Sequence, residues 1–366
     1  MGARDPLRGA TIMARRSTRD PLGRKPIRFS LTVKKELGMR HAVSFVALLS
    51  MFSGCTTASF REATSADQST ASARPGGDGI FRIPVRENGL VGALVVPDTG
   101  RKYPGVLRIG GAEGGIQLPD AETIASEGYA VFAVAYFGME GLPADLEEIP
   151  LEYFGKAVEW MKRDSRIDSK RLGVVGVSRG STLALLLPTI YDEFDAVVAI
   201  APSHVVWQST YLDWGRYAER SSFTYHGKAL PFVPYDFSNE LANESCNGET
   251  AACRLMYEQS LTQTSRVDEA RIPVEKIHAP VLLLSGKADS MWPSSVMGDL
   301  VVQRLAEANH PFEFRHVAYD GAGHCSINRC YDSVASDGDR NVVQAMRREL
   351  FLFLGHHLLS NKVSPH

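Results

Sequence analysis

Three residues that could together perform acyl transfer stand at three bends of the chain, each marked by glycine. Ser178 sits in Gly176-Val177-Ser178-Arg179-Gly180, Asp289 follows Gly286-Lys287-Ala288, and His324 closes Asp320-Gly321-Ala322-Gly323-His324. A serine hydroxyl at its ordinary pKa is a poor nucleophile. It needs a base within hydrogen-bond reach and a carboxylate to orient that base. The G-x-S-x-G pattern supplies the first part, because a backbone that turns sharply enough to expose a serine leaves no room for a side chain two positions on either side.

The negative charge that develops on a tetrahedral intermediate must meet N–H donors already aimed at it. One donor is expected from the backbone of Arg179, at the start of a helix whose dipole helps. The other is expected from the loop Gly110-Gly111-Ala112-Glu113-Gly114-Gly115, where glycine lets the backbone approach a substrate closely; Ala112 is the first choice and Gly111 the second. The loop lacks the G-K-[ST] ending and the spacing of a nucleotide-binding loop. Among other histidines, His316 lies within a strand, and His310, His356 and His357 lie in or beside helices. His204 reads as a satisfied structural histidine that could line the pocket. Asp320 is the reserve carboxylate, placed so that it shapes the turn before His324.

These residues require a strand before each bend. Apolar runs predict strands over Gly105–Ile109, Tyr129–Ala135, Leu172–Val177, Ala196–Ile200, Pro280–Ser285 and Phe314–Tyr319. Helices are expected around Asp120–Ser126, Leu151–Arg163, Ser181–Pro188, Ser294–Ala308 and Asn341–Leu358, and a hairpin from Phe81–Val85 and Leu90–Val96 about Glu87-Asn88-Gly89. The alternation implies an α/β fold: a mostly parallel sheet flanked by helices. About 70 residues, Trp207 to Ile277, interrupt it without a clear strand period and read as a cap over Ser178.

The net charge of −2 hides an uneven distribution, with 11 Lys+Arg against 3 Asp+Glu in residues 1–40. The rest is mildly acidic, which gives no reason to expect nucleic acid as a partner. Residues 42–53 form a short apolar run preceded by Lys34, Lys35 and Arg40 and followed by Gly54-Cys55, too short to span a bilayer comfortably but suited to a secretory signal. It resembles a bacterial lipoprotein signal, with Cys55 carrying the lipid, so the expectation is an exported bacterial protein anchored to a membrane and facing the periplasm or outside. Met39 is an alternative start, and residues 56–79 read as a flexible tether. The remaining cysteines form two close pairs, Cys246 with Cys253 and Cys325 with Cys330, each able to close a small disulfide loop in an oxidising compartment. Neither has convincing zinc-ligand spacing, and no metal or cofactor is expected.

From Phe81 to the C-terminal helix the chain resembles the α/β-hydrolase catalytic domain of the acyl-CoA thioesterases and bile acid-CoA:amino acid N-acyltransferases. The shared stretches are Tyr103–Gly115 (YPGVLRIGGAEGG), Glu127–Gly138 (EGYAVFAVAYFG), Leu142–Met161, Gly173–Gly180 (GVVGVSRG), Ile272–Ile277 (IPVEKI) and Ala288–Ser294 (ADSMWPS). The resemblance implies the triad Ser178, Asp289 and His324. The family's acyltransferases carry cysteine at the elbow, whereas Ser178 matches the thioesterases and implies water as the acyl acceptor. Members usually carry a β-sandwich domain ahead of the hydrolase domain; here the tether and one hairpin are expected to leave no room for it. The expected activity is therefore hydrolysis of a small-molecule ester or thioester. A serine peptidase or amidase, and a non-catalytic ligand-binding lipoprotein on the same fold, are the alternatives. Export sets the family's cytosolic acyl-CoA substrates against the location read from the signal.

Overall fold

A computed structural model of the chain describes residues 74–75, 79–97, 100–211, 218–238, 253–330 and 337–360. All of them belong to one unit that runs from Ala66 to His366. The signal-like segment, Cys55, Cys246, most of the tether and parts of the expected cap lie outside the described residues. Among the described residues no helix is long and apolar enough to cross a membrane.

In chain order the elements are β1 (Arg74–Pro75), β2 (Ile80–Glu87), β3 (Leu90–Pro97), β4 (Tyr103–Ile109), α1 (Leu118–Ala125), β5 (Ala130–Ala135), β6 (Ile149–Pro150), α2 (Glu152–Arg163), β7 (Ile167–Val177), α3 (Arg179–Leu186) and β8 (Ala196–Ile200). There follow β9 (Phe223–Tyr225), β10 (Lys228–Ala229), α4 (Arg254–Ser260), α5 (Thr264–Ala270), β11 (Val281–Gly286), α6 (Ser294–Glu307), β12 (Phe314–Tyr319) and α7 (Asp337–Leu354). The main sheet has the order β1-β2-β3-β5-β4-β7-β8-β11-β12. It is parallel from β5 to β12 and antiparallel at its first strands.

Alternation along each central strand sends side chains to two separate cores. In β7, Val174 joins Phe154, Val158 and Met161 of α2 and Leu305 of α6 on one face. Val175 and Val177 join Ile124 of α1 and Met346, Leu350 and Phe353 of α7 on the other. Burying each of these side chains fully is worth about 1.5–3 kcal/mol, so the stack fixes the strand ends to which the functional loops attach.

Several boundaries differ from the sequence reading for identifiable reasons. β7 begins at Ile167 because the polar stretch Asp168–Arg171 continues the strand at the sheet's margin; β4 pairs Pro104 with Asp168 and then Gly105 with Leu172 across a bulge. The helix after the elbow starts at Arg179 and not Ser181, because the whole reversal is made at one residue. The last helix ends at Leu354 and continues as a π-turn, Gly355–Leu359. The insert between β8 and β11 is not without strands: β9 pairs with β10 and, in parallel, with β6. Strands of two or three residues show no hydrophobic period.

Candidate active site

Strand order reverses between β4 and β7, and in open α/β sheets the crevice at such a point, beyond the carboxyl ends of the strands, is where ligands bind. The glycine-rich loop leaves β4 there and Ser178 leaves β7. Ser178 has φ 56° and ψ −122°, a backbone conformation that L residues adopt only when the surroundings impose it. Its N–H is held by Ile200 O at 2.9 Å and its carbonyl accepts from Ser181 N at 2.8 Å. A Cβ at Gly176 would run into the Gly180 carbonyl, and one at Gly180 into the carbonyls of Ile109 and Gly110. Both glycines of the elbow are thus sterically required.

Asp289 and His324 are brought together. His324 Nδ1 lies 2.9 Å from Asp289 Oδ2, with side-chain exposures of 3% and 0%. The carboxylate is fixed on its other sides: Oδ1 accepts from the N–H groups of Met291 (3.0 Å) and Trp292 (3.2 Å), and Oδ2 accepts from Ser294 Oγ at 2.5 Å. With Nδ1 on the carboxylate, a proton transfer by this imidazole would run through Nε2. The loops carrying the pair are tied by Lys287 N to Tyr319 O and Ala288 N to Ala322 O. Gly286 makes that approach possible, since a Cβ there would meet the carbonyls of Ala322 and Gly323.

The loop after β4 lies against the elbow: a Cβ on Gly111 would stand 3.0 Å from the Cβ of Ser178. The Gly111 N–H is engaged by Glu113 Oε1 at 3.1 Å. Among the described residues no acceptor engages the N–H of Ala112 or of Arg179. Arg179 is 2% exposed, and its Nη2 lies within hydrogen-bond reach of four oxygens, Gln208 O, Thr210 Oγ1 (2.8 Å), Ser222 Oγ (3.2 Å) and Tyr235 OH (2.8 Å). These acceptors all belong to the insert, so the guanidinium ties the insert to the elbow. Trp207, Tyr235, Tyr257 and Trp292 then form a chain of ring contacts that ends on the His324 imidazole, 5.8 Å between centroids.

The other candidates fall elsewhere. Asp320 is 90% exposed and pairs with Lys287. His204 is not a satisfied histidine: it is buried, its Nδ1 has no partner, and burial, helped by the Arg271 charge, depresses its pKa to about 4. It lines a cavity of about 420 Å3 with Arg271, Ile272 and Leu300. His316 bridges Ser285 Oγ (2.7 Å) and Asp299 Oδ1 (2.8 Å), a serine–histidine–aspartate chain. Ser285 is 1% exposed in mid-sheet, where no substrate carbonyl can reach it. Cys325 and Cys330 are joined by a disulfide, and Cys253 is disulfide-bonded. Glu313, His356 and His357 are close enough to share a cation, but Glu313 already pairs with Arg315 and His357.

Sequence reasoning missed Ser294, Trp292, Glu113 and Tyr136. The first two stand just after Asp289 in the stretch ADSMWPS. Tyr136 follows β5 at the same end of the sheet; its hydroxyl lies 3.0 Å from Gly110 O and 3.3 Å from Gly111 O.

A family model described as BAAT / Acyl-CoA thioester hydrolase C terminal matches residues 149–332, a span that includes Ser178, Asp289 and His324. The chain is similar to the bile acid-CoA:amino acid N-acyltransferase of Mus musculus, 29% identical over 247 residues, covering 67% of this chain and 54% of that protein. It is equally similar to acyl-coenzyme A thioesterase 6 of Mus musculus, 29% over 248 residues, covering 68% and 54%. The chain therefore spans about half the length of the curated relatives it matches. Among solved structures it superposes on a puromycin-hydrolyzing peptidase of Mycobacterium tuberculosis with TM-score 0.51 and 15% identity, covering 78% of this chain and 40% of that one. An acylaminoacyl peptidase of Pyrococcus horikoshii gives TM-score 0.51, 15% identity and coverages of 78% and 43%. At such identity the likeness is one of fold, and the fold is that of the α/β hydrolases.

Proposed function

The chain belongs to the BAAT / acyl-CoA thioester hydrolase C-terminal family, and from that premise we propose that it is a serine hydrolase cleaving an acyl ester or thioester through a covalent acyl-enzyme. Ser178 Oγ attacks the carbonyl carbon, and His324 Nε2 takes the hydroxyl proton while Asp289 holds the Nδ1–H and balances the imidazolium. The Arg179 and Ala112 N–H groups receive the oxyanion, each worth ~100- to 1,000-fold in rate. His324 then protonates the departing alcohol or thiol, and a water molecule, activated by the same imidazole, releases the acid. The observation that carries this reading is the buried 2.9 Å bond between Asp289 and His324, beyond the same carboxyl end of the parallel strands as a serine held at an elbow.

The signal-like stretch and Cys55 support an exported, lipid-anchored enzyme, which would meet esters more readily than CoA thioesters. The test is hydrolysis of p-nitrophenyl esters from acetate to palmitate beside acyl-CoAs of matching length, with Ser178→Ala as control. Turnover of esters well above thioesters, abolished in the control, supports an exported carboxylesterase. Preference for acyl-CoA supports a thioesterase and counts against export. Turnover that survives Ser178→Ala overturns the serine mechanism.

A further inference from the structure

The loop that approaches Ser178 contains four glycines between 110 and 115, and glycine peptides rotate at little cost. A donor in such a loop is pre-aimed only if something outside the loop fixes its peptide plane. Tyr136 is placed to do so. Its ring is 2% exposed, wedged between Phe137 and Phe154 at centroid distances of 4.9 and 5.4 Å. Its hydroxyl proton is shared between two successive carbonyls, Gly110 O at 3.0 Å and Gly111 O at 3.3 Å. Burial, with the Glu113 charge adding to it, drives the phenol pKa upward, so the group stays a donor.

The described chain has no cis peptide bond, and in a trans peptide the C=O and N–H point in opposite directions. Turning the Gly110 carbonyl to Tyr136 therefore sends the Gly111 N–H the other way, where Glu113 Oε1 accepts it at 3.1 Å. Turning the Gly111 carbonyl to Tyr136 sends the Ala112 N–H away from the phenol, and no described residue accepts it. One donor is consumed by the protein and the next is left free beside Ser178. Resting on the serine-hydrolase reading above, we propose that Tyr136 is a positioning residue that locks the Gly111–Ala112 peptide so that the Ala112 N–H, and not that of Gly111, serves the oxyanion.

The test is Tyr136→Phe, which keeps the ring and removes the hydroxyl, measured with the best ester or thioester substrate. The expected result is a 10- to 100-fold loss in kcat with KM within about twofold, since the donor acts on the transition state and not the ground state. The inhibition constant of an alkyl boronic acid, whose adduct on serine mimics the tetrahedral intermediate, should rise by a similar factor. A second variant, Ala112→Pro, deletes the N–H itself and should lose activity. Adding Tyr136→Phe to it should then cost little more, because both act through one donor. A wild-type kcat in Tyr136→Phe overturns the proposal, as do unchanged boronate affinity, multiplicative losses in the double variant, or full activity of Ala112→Pro if Tyr136→Phe does not fold. Turnover abolished by Ser178→Ala alongside an unaffected Tyr136→Phe removes only the assignment of Tyr136, whereas turnover surviving Ser178→Ala removes the reading on which it rests.

Discussion

Asp289 grips the His324 imidazole with the same oxygen that accepts the Ser294 hydroxyl, while its other oxygen is committed to two backbone N–H groups. This division predicts the outcome of Asp289→Asn. The amide oxygen must take the place facing the Met291 and Trp292 N–H groups, which turns the NH2 toward Nδ1. The imidazole then carries its proton on Nε2, the wrong nitrogen for a base. A loss of roughly 10,000-fold in kcat with little change in KM is expected, on the scale typical of an imidazole held in the wrong tautomer. Steady-state kinetics beside a melting curve checks it; a loss below tenfold would show that the carboxylate does not orient the base.

The loop that follows His324 is held by a disulfide and by side-chain bonds, among them Arg347 Nε to Ile327 O at 2.8 Å. Its ends are joined by the Cys325–Cys330 disulfide, and its middle is held by Asn328, whose amide donates to Asp120 Oδ1 at 2.6 Å and accepts from Thr123 Oγ1 at 3.0 Å. Asp120 in turn pairs with buried Arg108 at 2.5 Å, one residue before the last of β4. For so short a loop the chain-entropy estimate of the disulfide is about 2 kcal/mol. Cys330→Ser should therefore lower Tm by several degrees and reduce kcat several-fold, and the double variant Cys325→Ser/Cys330→Ser should match it. Unchanged kcat and Tm would mean that the bonds of Asn328 and Arg347 fix the loop without the disulfide.

The elbow at Ser178 and the pairing of Asp289 with His324 were legible because each of these residues follows a strand and is announced by glycines whose absent side chains have a steric reason, as at Gly176, Gly180 and Gly286. Tyr136 was not. A tyrosine ending an apolar strand reads as core, and its role depends on where two carbonyls of a distant loop fall. Ser285, His316 and Asp299 teach the converse, since they have the right residue types and the right hydrogen bonds in a place closed to substrate. His204 was misjudged because its unpartnered nitrogen is a property of the packed insert. Strand β9 of the insert finds a partner in β6, about 70 residues earlier in sequence (Ile149 beside Phe223), and no local pattern announces that.

Arg179 is a buried cation whose bonds, among the described residues, all go to neutral oxygens, and it stands at a helix N-terminus, where the dipole disfavours positive charge. Removing a buried charge that lacks a counter-ion removes its desolvation cost, which offsets the hydrogen bonds lost with it. Arg179→Met should thus keep Tm within a few degrees of wild type or raise it. Activity should still fall at least tenfold, because the insert loses its tie to the elbow. A variant that loses stability and activity in parallel would assign Arg179 a purely structural role.

His204 makes the acid limb of stability predictable in sign. Its folded pKa of about 4 lies below the ordinary value of 6.5, so between these two pH values the unfolded chain binds a proton that the folded chain refuses. The contribution is fully present above pH 6.5 and is lost as the pH falls toward 4, to the extent of about 3 kcal/mol. Thermal or urea unfolding at steps from pH 7.5 to 4.5 should show wild-type stability declining below about pH 6.5. His204→Gln, which is neutral throughout, should be less stable or equal at pH 7.5 but should decline less on acidification. If the two curves stay parallel across that range, the proton is not excluded from the folded imidazole, and the acid sensitivity has to be sought in carboxylates such as Asp164 and Glu275, whose pKa values are lowered despite the opposing effect of burial by their pairing with Arg166 and Arg304.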